Sequence, residues 1–317
     1  MKKEEISFLS SDKKNNIHAI CCTPENGQGN KILQIVHGMT EYIEKYIPFM
    51  EYLALKGFIV VGHDQLGHGN SFTNSEDKGY FGEPDPNYLL IHDIHKLRLI
   101  IQEKYKNIPY FILGHSMGSY LVREYITLYS ENLSGALMMA TGYLSPCFCS
   151  FLLKFFTIFA CFKGWHHKSE FITKLFKGNG GEKKFDMTGK DLSNNFLCKE
   201  PEVVKKLLTD KKSNFPFSLN GYYGLFDCIK KSCDPSQLMK IRKDLPLLFI
   251  SGDCDIVGEC GKGVEKIFNL IKSVGSLDAT MKLFENDRHE LLMENDKKDV
   301  YEYIRVWIEK KCIDIHN

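Results

Sequence analysis

Residues 110–120 read YFILGHSMGSY. An apolar run from Tyr110 to Leu113 leads straight into Gly114, His115, Ser116, Met117 and Gly118, and the helical pattern SMGSYLVREYITLYS follows. This is a buried strand that stops, bends sharply through a serine and enters a helix. In such a turn the serine takes a strained backbone conformation that raises its hydroxyl above the sheet edge. Gly114 and Gly118 let strand and helix pass without Cβ clashes. The Met117 amide then lies at a helix N-terminus, where unpaired N–H groups and the dipole favour negative charge. A bare G-x-S-x-G arises by chance in turns. This one, set between a strand and a helix, presents a nucleophile beside half of an anion site.

Outward from the turn, β-rich runs recur at ISFLS, IHAICC, KILQIVHG, FIVVGHD, PYFILGH, GALMMATG, PLLFISGD and ATMKLFE. Several are continuously apolar, as strands covered on both faces are. Helical patterns lie between them, and Leu90, Ile94, Leu97 and Ile101 mark one buried stripe at three- and four-residue steps. The alternation predicts an α/β fold with a mostly parallel, eight-stranded sheet flanked by helices, its first two strands an antiparallel hairpin. It lapses from about Tyr143 to Cys233. The chain therefore divides into a catalytic domain of residues 1–142 and 234–317 and an inserted cap of residues 143–233.

The 317 residues are 43% hydrophobic and 26% charged, which is ordinary for a globular protein. A formal net charge of +1 gives no global field for nucleic acid or for an anionic membrane. The opening MKKEEISFLSSDKKNN lacks the apolar core of a secretory signal. Eleven cysteines, several inside apolar runs, are expected to be reduced thiols in a cytoplasmic protein. No C-x-x-C pair occurs, and neither a metal nor another cofactor is expected.

A serine hydroxyl needs a base, and an acyl oxyanion needs two donors. IVHGMTE places Met39 where its amide supplies the second donor beside that of Met117. FISGDCDIVGE offers Asp253 and Asp255, and LFENDRHELLME offers His289. Serine, then an acid, then a histidine, each after a strand at one sheet edge, is the α/β-hydrolase order. His37 and His115 flank the oxyanion site and are read as structural, loop-ordering residues. His63 and His68 are read as fixing their own loop, and His166 and His167 as surface residues.

Together these motifs resemble the monoacylglycerol lipase/lysophospholipase branch of the α/β-hydrolases, also described as serine-aminopeptidase-like. The matching stretches are HGMTE (37–41), HDQLGHGNS (63–71), GHSMGS (114–119), SGDCDIVG (251–258) and DRHELL (287–292). The resemblance implies Ser116 as nucleophile, His289 as base and Asp255 as acid, the family's acid being the second acidic position of G-x-x-D. It implies Met39 and Met117 as oxyanion donors. Two positions depart from the pattern: Ser119 stands where relatives often have glycine, and Tyr42 where the eukaryotic lipases have histidine.

The cap opens with YLSPCFCSFLLKFFTIFACFKGW, the most apolar stretch of the chain. Lys154 interrupts it, and its place between strands of one sheet argues against a membrane span. Phe151, Phe155 and Phe159, at four-residue steps, are expected to line a wall for an acyl chain above Ser116. The same helix is expected to make transient contact with a membrane surface. The function expected is hydrolysis of carboxylic esters, lipid-like ones such as a monoacylglycerol or lysophospholipid, through an acyl-serine. The rivals are a peptidase or amidase with the same triad, which needs a cap carboxylate such as Glu170 or Asp227 for the substrate amine, and a ligand-binding pseudo-hydrolase.

Overall fold

The apolar runs become eight strands: β1 (Lys2–Leu9), β2 (Asn16–Thr23), β3 (Lys31–Val36), β4 (Phe58–His63), β5 (Tyr110–His115), β6 (Gly135–Met139), β7 (Leu247–Gly252) and β8 (Ala279–Phe284). The structure, a computed structural model, describes residues 1–178, 185–186 and 189–316. One sheet holds all eight strands in the order β1-β2-β4-β3-β5-β6-β7-β8. β2 pairs antiparallel with β1 and with β4, and every later pairing is parallel. The antiparallel hairpin and the parallel body both follow the sequence expectation.

Ten helices flank or interrupt this sheet among the described residues: α1 (Ile47–Ala54), α2 (Pro86–Lys104), α3 (Met117–Tyr129), α4 (Pro146–Lys163), α5 (Glu170–Gly178), α6 (Pro201–Thr209), α7 (Leu219–Ser232), α8 (Pro235–Leu238), α9 (Lys262–Ser273) and α10 (Lys297–His316). The stripe Leu90, Ile94, Leu97 and Ile101 is buried on α2, together with α3 and α9, against one sheet face. α1 and α10 cover the other, through Phe49, Leu53, Ile304 and Ile308. A strand between two helical layers buries both its faces, so Leu33 and Ile35 serve one layer while Ile32 and Val36 serve the other. That is why these strands read as unbroken apolar runs.

Helices α4 to α8 run between β6 and β7. α4 packs on α7, where Phe156 stacks with Tyr222 and Phe226 at ring separations of 5.9 and 5.7 Å. α7 also rests on α2 and α3. Because β3, β5, β7 and β8 run parallel in one sheet, their C-terminal loops share one edge, and the candidate site assembles there.

Candidate active site

Ser116 sits at φ 50°, ψ −118°, a conformation that costs energy for any residue with a side chain. Close packing holds it there. A Cβ on Gly118 would lie 2.0 Å from the Val36 carbonyl oxygen, and one on Gly114 2.1 Å from that of Gly118. The Ser116 N–H donates to the Met139 carbonyl at 2.9 Å. Ser119, the departure from glycine, places Oγ 2.6 Å from the Ser116 carbonyl and 2.7 Å from the Thr141 hydroxyl, so its side chain braces the turn.

His289 follows β8 and reaches back to the serine. Its Nε2 lies 2.9 Å from Ser116 Oγ, and its Nδ1 lies 3.0 Å from both carboxylate oxygens of Asp255. A carboxylate only accepts, so Nδ1 carries the hydrogen and Nε2 is free to take the serine proton. Asp255 is fully buried, which by itself raises a carboxyl pKa, yet it is held below the ordinary range by His289, the Val257 N–H and the Ser251 hydroxyl. Asp253 is turned elsewhere and accepts from the Asn286 N–H at 2.8 Å.

The loop after β3 carries Met39, the residue expected to supply the second oxyanion donor. Gly38, next to Met39 in the chain, packs so near Ser116 that a Cβ there would lie 3.1 Å from Ser116 Cβ. Met117 is the first residue of α3, where a helix leaves its N–H groups free. His37 and His68 order these loops. His37 Nε2 accepts from the Gln65 N–H at 2.9 Å, and His68 Nε2 accepts from the Thr40 N–H at 3.3 Å. Both therefore stay neutral, and burial pushes His68 down to about 3.

A strap from the inserted segment also holds His289, a contact that the sequence reading did not single out. Phe196 and Leu197 carbonyls accept the His289 and Glu290 N–H groups at 3.4 and 2.8 Å. Arg288 Nη1 lies within reach of the Ser193, Asn195 and Cys198 carbonyls at 3.2, 2.6 and 3.1 Å. Lys199 Nζ meets Asp287 Oδ1 at 2.5 Å. Arg288 and Asp287 stand in DRHELL, so the basic residue beside the base was the available signal.

The family described as serine aminopeptidase, S33, matches residues 27–296. The chain belongs to that family. It is similar to an uncharacterized abhydrolase domain-containing protein of Dictyostelium discoideum, 24% identical over 89% of this chain and 27% of that protein. A monoglyceride lipase homolog of Monkeypox virus is 32% identical over 27% of this chain and 29% of that protein. The chain thus spans under a third of the length of these curated relatives. A carboxyl esterase of Bacillus coagulans, solved with glycerol, superposes with a TM-score of 0.87 at 27% identity, covering 98% of this chain and 99% of that one. The fold is that of the α/β-hydrolases.

On this hydrolase scaffold the cap helix α4 departs from expectation. Its buried residues are Cys149, Leu152, Leu153, Phe156 and Ala160. Phe151 and Phe155, expected to wall the serine, are 65% and 39% exposed, and Phe159 is only half-buried, stacked on Phe155. Four-residue steps placed the three on one stripe correctly. A helix this rich in apolar residues, however, has more than one apolar stripe, and the one facing α7 was buried instead. Tyr42, the other departure, donates its hydroxyl to Asp210 Oδ2 at 2.7 Å, just beyond α6, and so ties the oxyanion loop to the inserted segment. His166 stacks on the Tyr80 ring and faces Asp77 at 3.3 Å, a surface contact. None of the eleven cysteines, all of them among the described residues, is in a disulfide.

Proposed function

We propose that the protein is a serine hydrolase of carboxylic esters, working through an acyl-serine. The observation that carries this is His289 Nε2 at 2.9 Å from Ser116 Oγ while Nδ1 is held by Asp255. His289 takes the serine proton as Oγ attacks the ester carbonyl carbon. The developing oxyanion is met by the Met39 and Met117 amides, and Asp255 stabilises the imidazolium. His289 then protonates the departing alcohol, and water, deprotonated by the same base, releases the acid.

The substrate class proposed is a lipid-like ester, a monoacylglycerol or a lysophospholipid. Support comes from the viral relative described as a monoglyceride lipase homolog and from the outer face of α4. That face exposes Phe148, Phe151, Phe155, Ile158 and Phe162. α4 carries Lys154 and Lys163 and no acid, and by length and composition it could cross a membrane. Its packing on α7 favours a helix lying against a lipid surface instead. Cysteines without disulfides fit a cytoplasmic setting.

The peptidase reading needs an unengaged cap carboxylate to hold an amine. Asp227 meets Lys231 at 2.6 Å, and Glu170 lies 3.8 Å from Lys174. Both engagements favour esters. The test is a fluorophosphonate probe with Ser116→Ala as control, followed by a panel of acylglycerols, lysophospholipids and amino-acid arylamides. Labelling at Ser116 with esters leading supports the proposal. An arylamide that outruns every ester replaces it with the peptidase, and a protein neither labelled nor active replaces it with the pseudo-hydrolase.

A further inference from the structure

The residue before Ser116, His115, is only 2% exposed and has no part in the proton transfers above. His115 Nδ1 lies 3.0 Å from Glu41 Oε2 and 2.9 Å from the Tyr46 hydroxyl, and Nε2 lies 3.2 Å from the His289 carbonyl oxygen. The carboxylate and the carbonyl can only accept. Tyr46 gives its one hydroxyl proton to Glu41 at 2.6 Å, which leaves a lone pair towards His115. Every partner of both ring nitrogens is thus an acceptor, so both nitrogens carry hydrogen and the ring is an imidazolium.

The same Glu41 carboxylate accepts from the Gly38 N–H at 2.6 Å and from Lys45 Nζ at 2.8 Å. One acid–imidazolium pair therefore joins the loop that supplies the Met39 donor to the backbone of the residue that supplies the base. We propose that His115 is a positioning residue, a doubly protonated strut that sets the oxyanion loop and the base loop at their working separation. The proposal rests on the serine-hydrolase reading. A neutral ring keeps only one link, because the nitrogen that loses its hydrogen meets an acceptor lone pair to lone pair.

The charged and titratable groups facing this ring are Glu41, Lys45 and Tyr46 from the segment after β3, and His289 and Glu290 from the base loop. Burial alone lowers the pKa of His115. The Glu41 carboxylate overrides it, Glu290 and the His289 carbonyl add to it, and the value is pushed up to about 9. Glu41 is in turn held well below its usual range, against its burial, by Lys45 and His115. The strut is therefore intact at neutral pH and fails as pH rises through about 9. A cavity of about 270 Å³ is lined by Tyr42, Lys45, Tyr46, His115 and Glu290 among others.

Nitrogen-15 NMR of the histidine side chains of the wild-type protein tests the charge state without any variant. Two protonated nitrogens on His115 at about pH 7 are expected, and a neutral tautomer there overturns the proposal. Kinetics test the positioning. His115→Asn, which keeps one donor, should lower kcat by about 10²-fold with KM changed less than about threefold, as misplacement of reacting groups does. Wild type should lose activity with one proton near pH 9, and His115→Asn should lack that alkaline limb. A variant with full kcat, or one that keeps the limb, overturns the strut. Should His115→Asn fold poorly, Glu41→Gln removes the same link from its other end and carries the same two expectations. A wild type that no fluorophosphonate labels sinks the hydrolase reading instead, and the NMR result still decides the strut.

Discussion

The Asp255 carboxylate meets His289 Nδ1 with both oxygens at 3.0 Å, and two residues away Asp253 instead accepts from the backbone N–H of Asn286, three residues before His289 in the same loop. An amide at the acid position can donate to the imidazole and fix the wrong tautomer, a loss of about 10⁴-fold in kcat in a serine protease. Asp255→Asn should lose activity on that scale and Asp253→Asn far less. Steady-state assays of the two variants decide it, and the reverse ranking would transfer the role to Asp253.

Ser116 and His289 act on one proton, so their losses should not multiply. Each alanine variant should lower kcat by about 10⁴- to 10⁶-fold and the double variant little further. Independent multiplicative losses would break the pair apart.

Arg288→Ala removes a cation shared by three strap carbonyls. Hydrogen bonds to charged groups contribute about 1.5–3 kcal/mol each, and a loss of that order is expected in denaturant unfolding. Hydrogen exchange should quicken across 193–199 and at His289, and kcat should fall more than KM rises. Unchanged exchange in the strap, with activity intact, would make it a bystander.

The outer face of α4 should govern adsorption and not chemistry. Ile158 and Phe162 are 62% and 81% exposed. Since a large apolar side chain contributes about 1.5–3 kcal/mol on burial, Ile158→Ser with Phe162→Ser should weaken binding to anionic vesicles by at least about tenfold. Hydrolysis of a soluble short-chain ester should stay the same. Vesicle sedimentation and a parallel assay separate the two, and vesicle binding that survives both changes would move the contact elsewhere.

His63 is fully buried, and neither ring nitrogen has a hydrogen-bond partner among the described residues. Burial, with His37 adding, pushes its pKa down to about 3. The unfolded chain binds a proton near the ordinary value of about 6.5 while the folded chain does not, so stability falls as pH drops from there towards 3. His63→Leu should lose less stability than wild type between about pH 7 and pH 4.5, measured by urea unfolding. Equal losses would show that His63 does not limit acid stability.

The sheet, the serine turn and the candidate acid and base were legible in the residues because each is a local pattern. Strand periodicity, the small residues beside Ser116 and the placement of Asp255 and His289 after strands all lie within short windows. Knowing that parallel strands share a C-terminal edge was enough to bring them together.

What the tertiary structure alone decided concerns contacts made across long stretches of chain. His115 looked like a loop histidine, and its charge depends on Glu41, 74 residues away, and on a carbonyl 174 residues away. The strap on Arg288 comes from some 90 residues upstream. Periodicity identified the Phe151, Phe155 and Phe159 stripe of α4, but with more than one apolar stripe on the helix, only the partner helix α7 determined which was buried. A titrating group answers to whatever surrounds it in space, and a helix with two apolar stripes buries the one its neighbour meets.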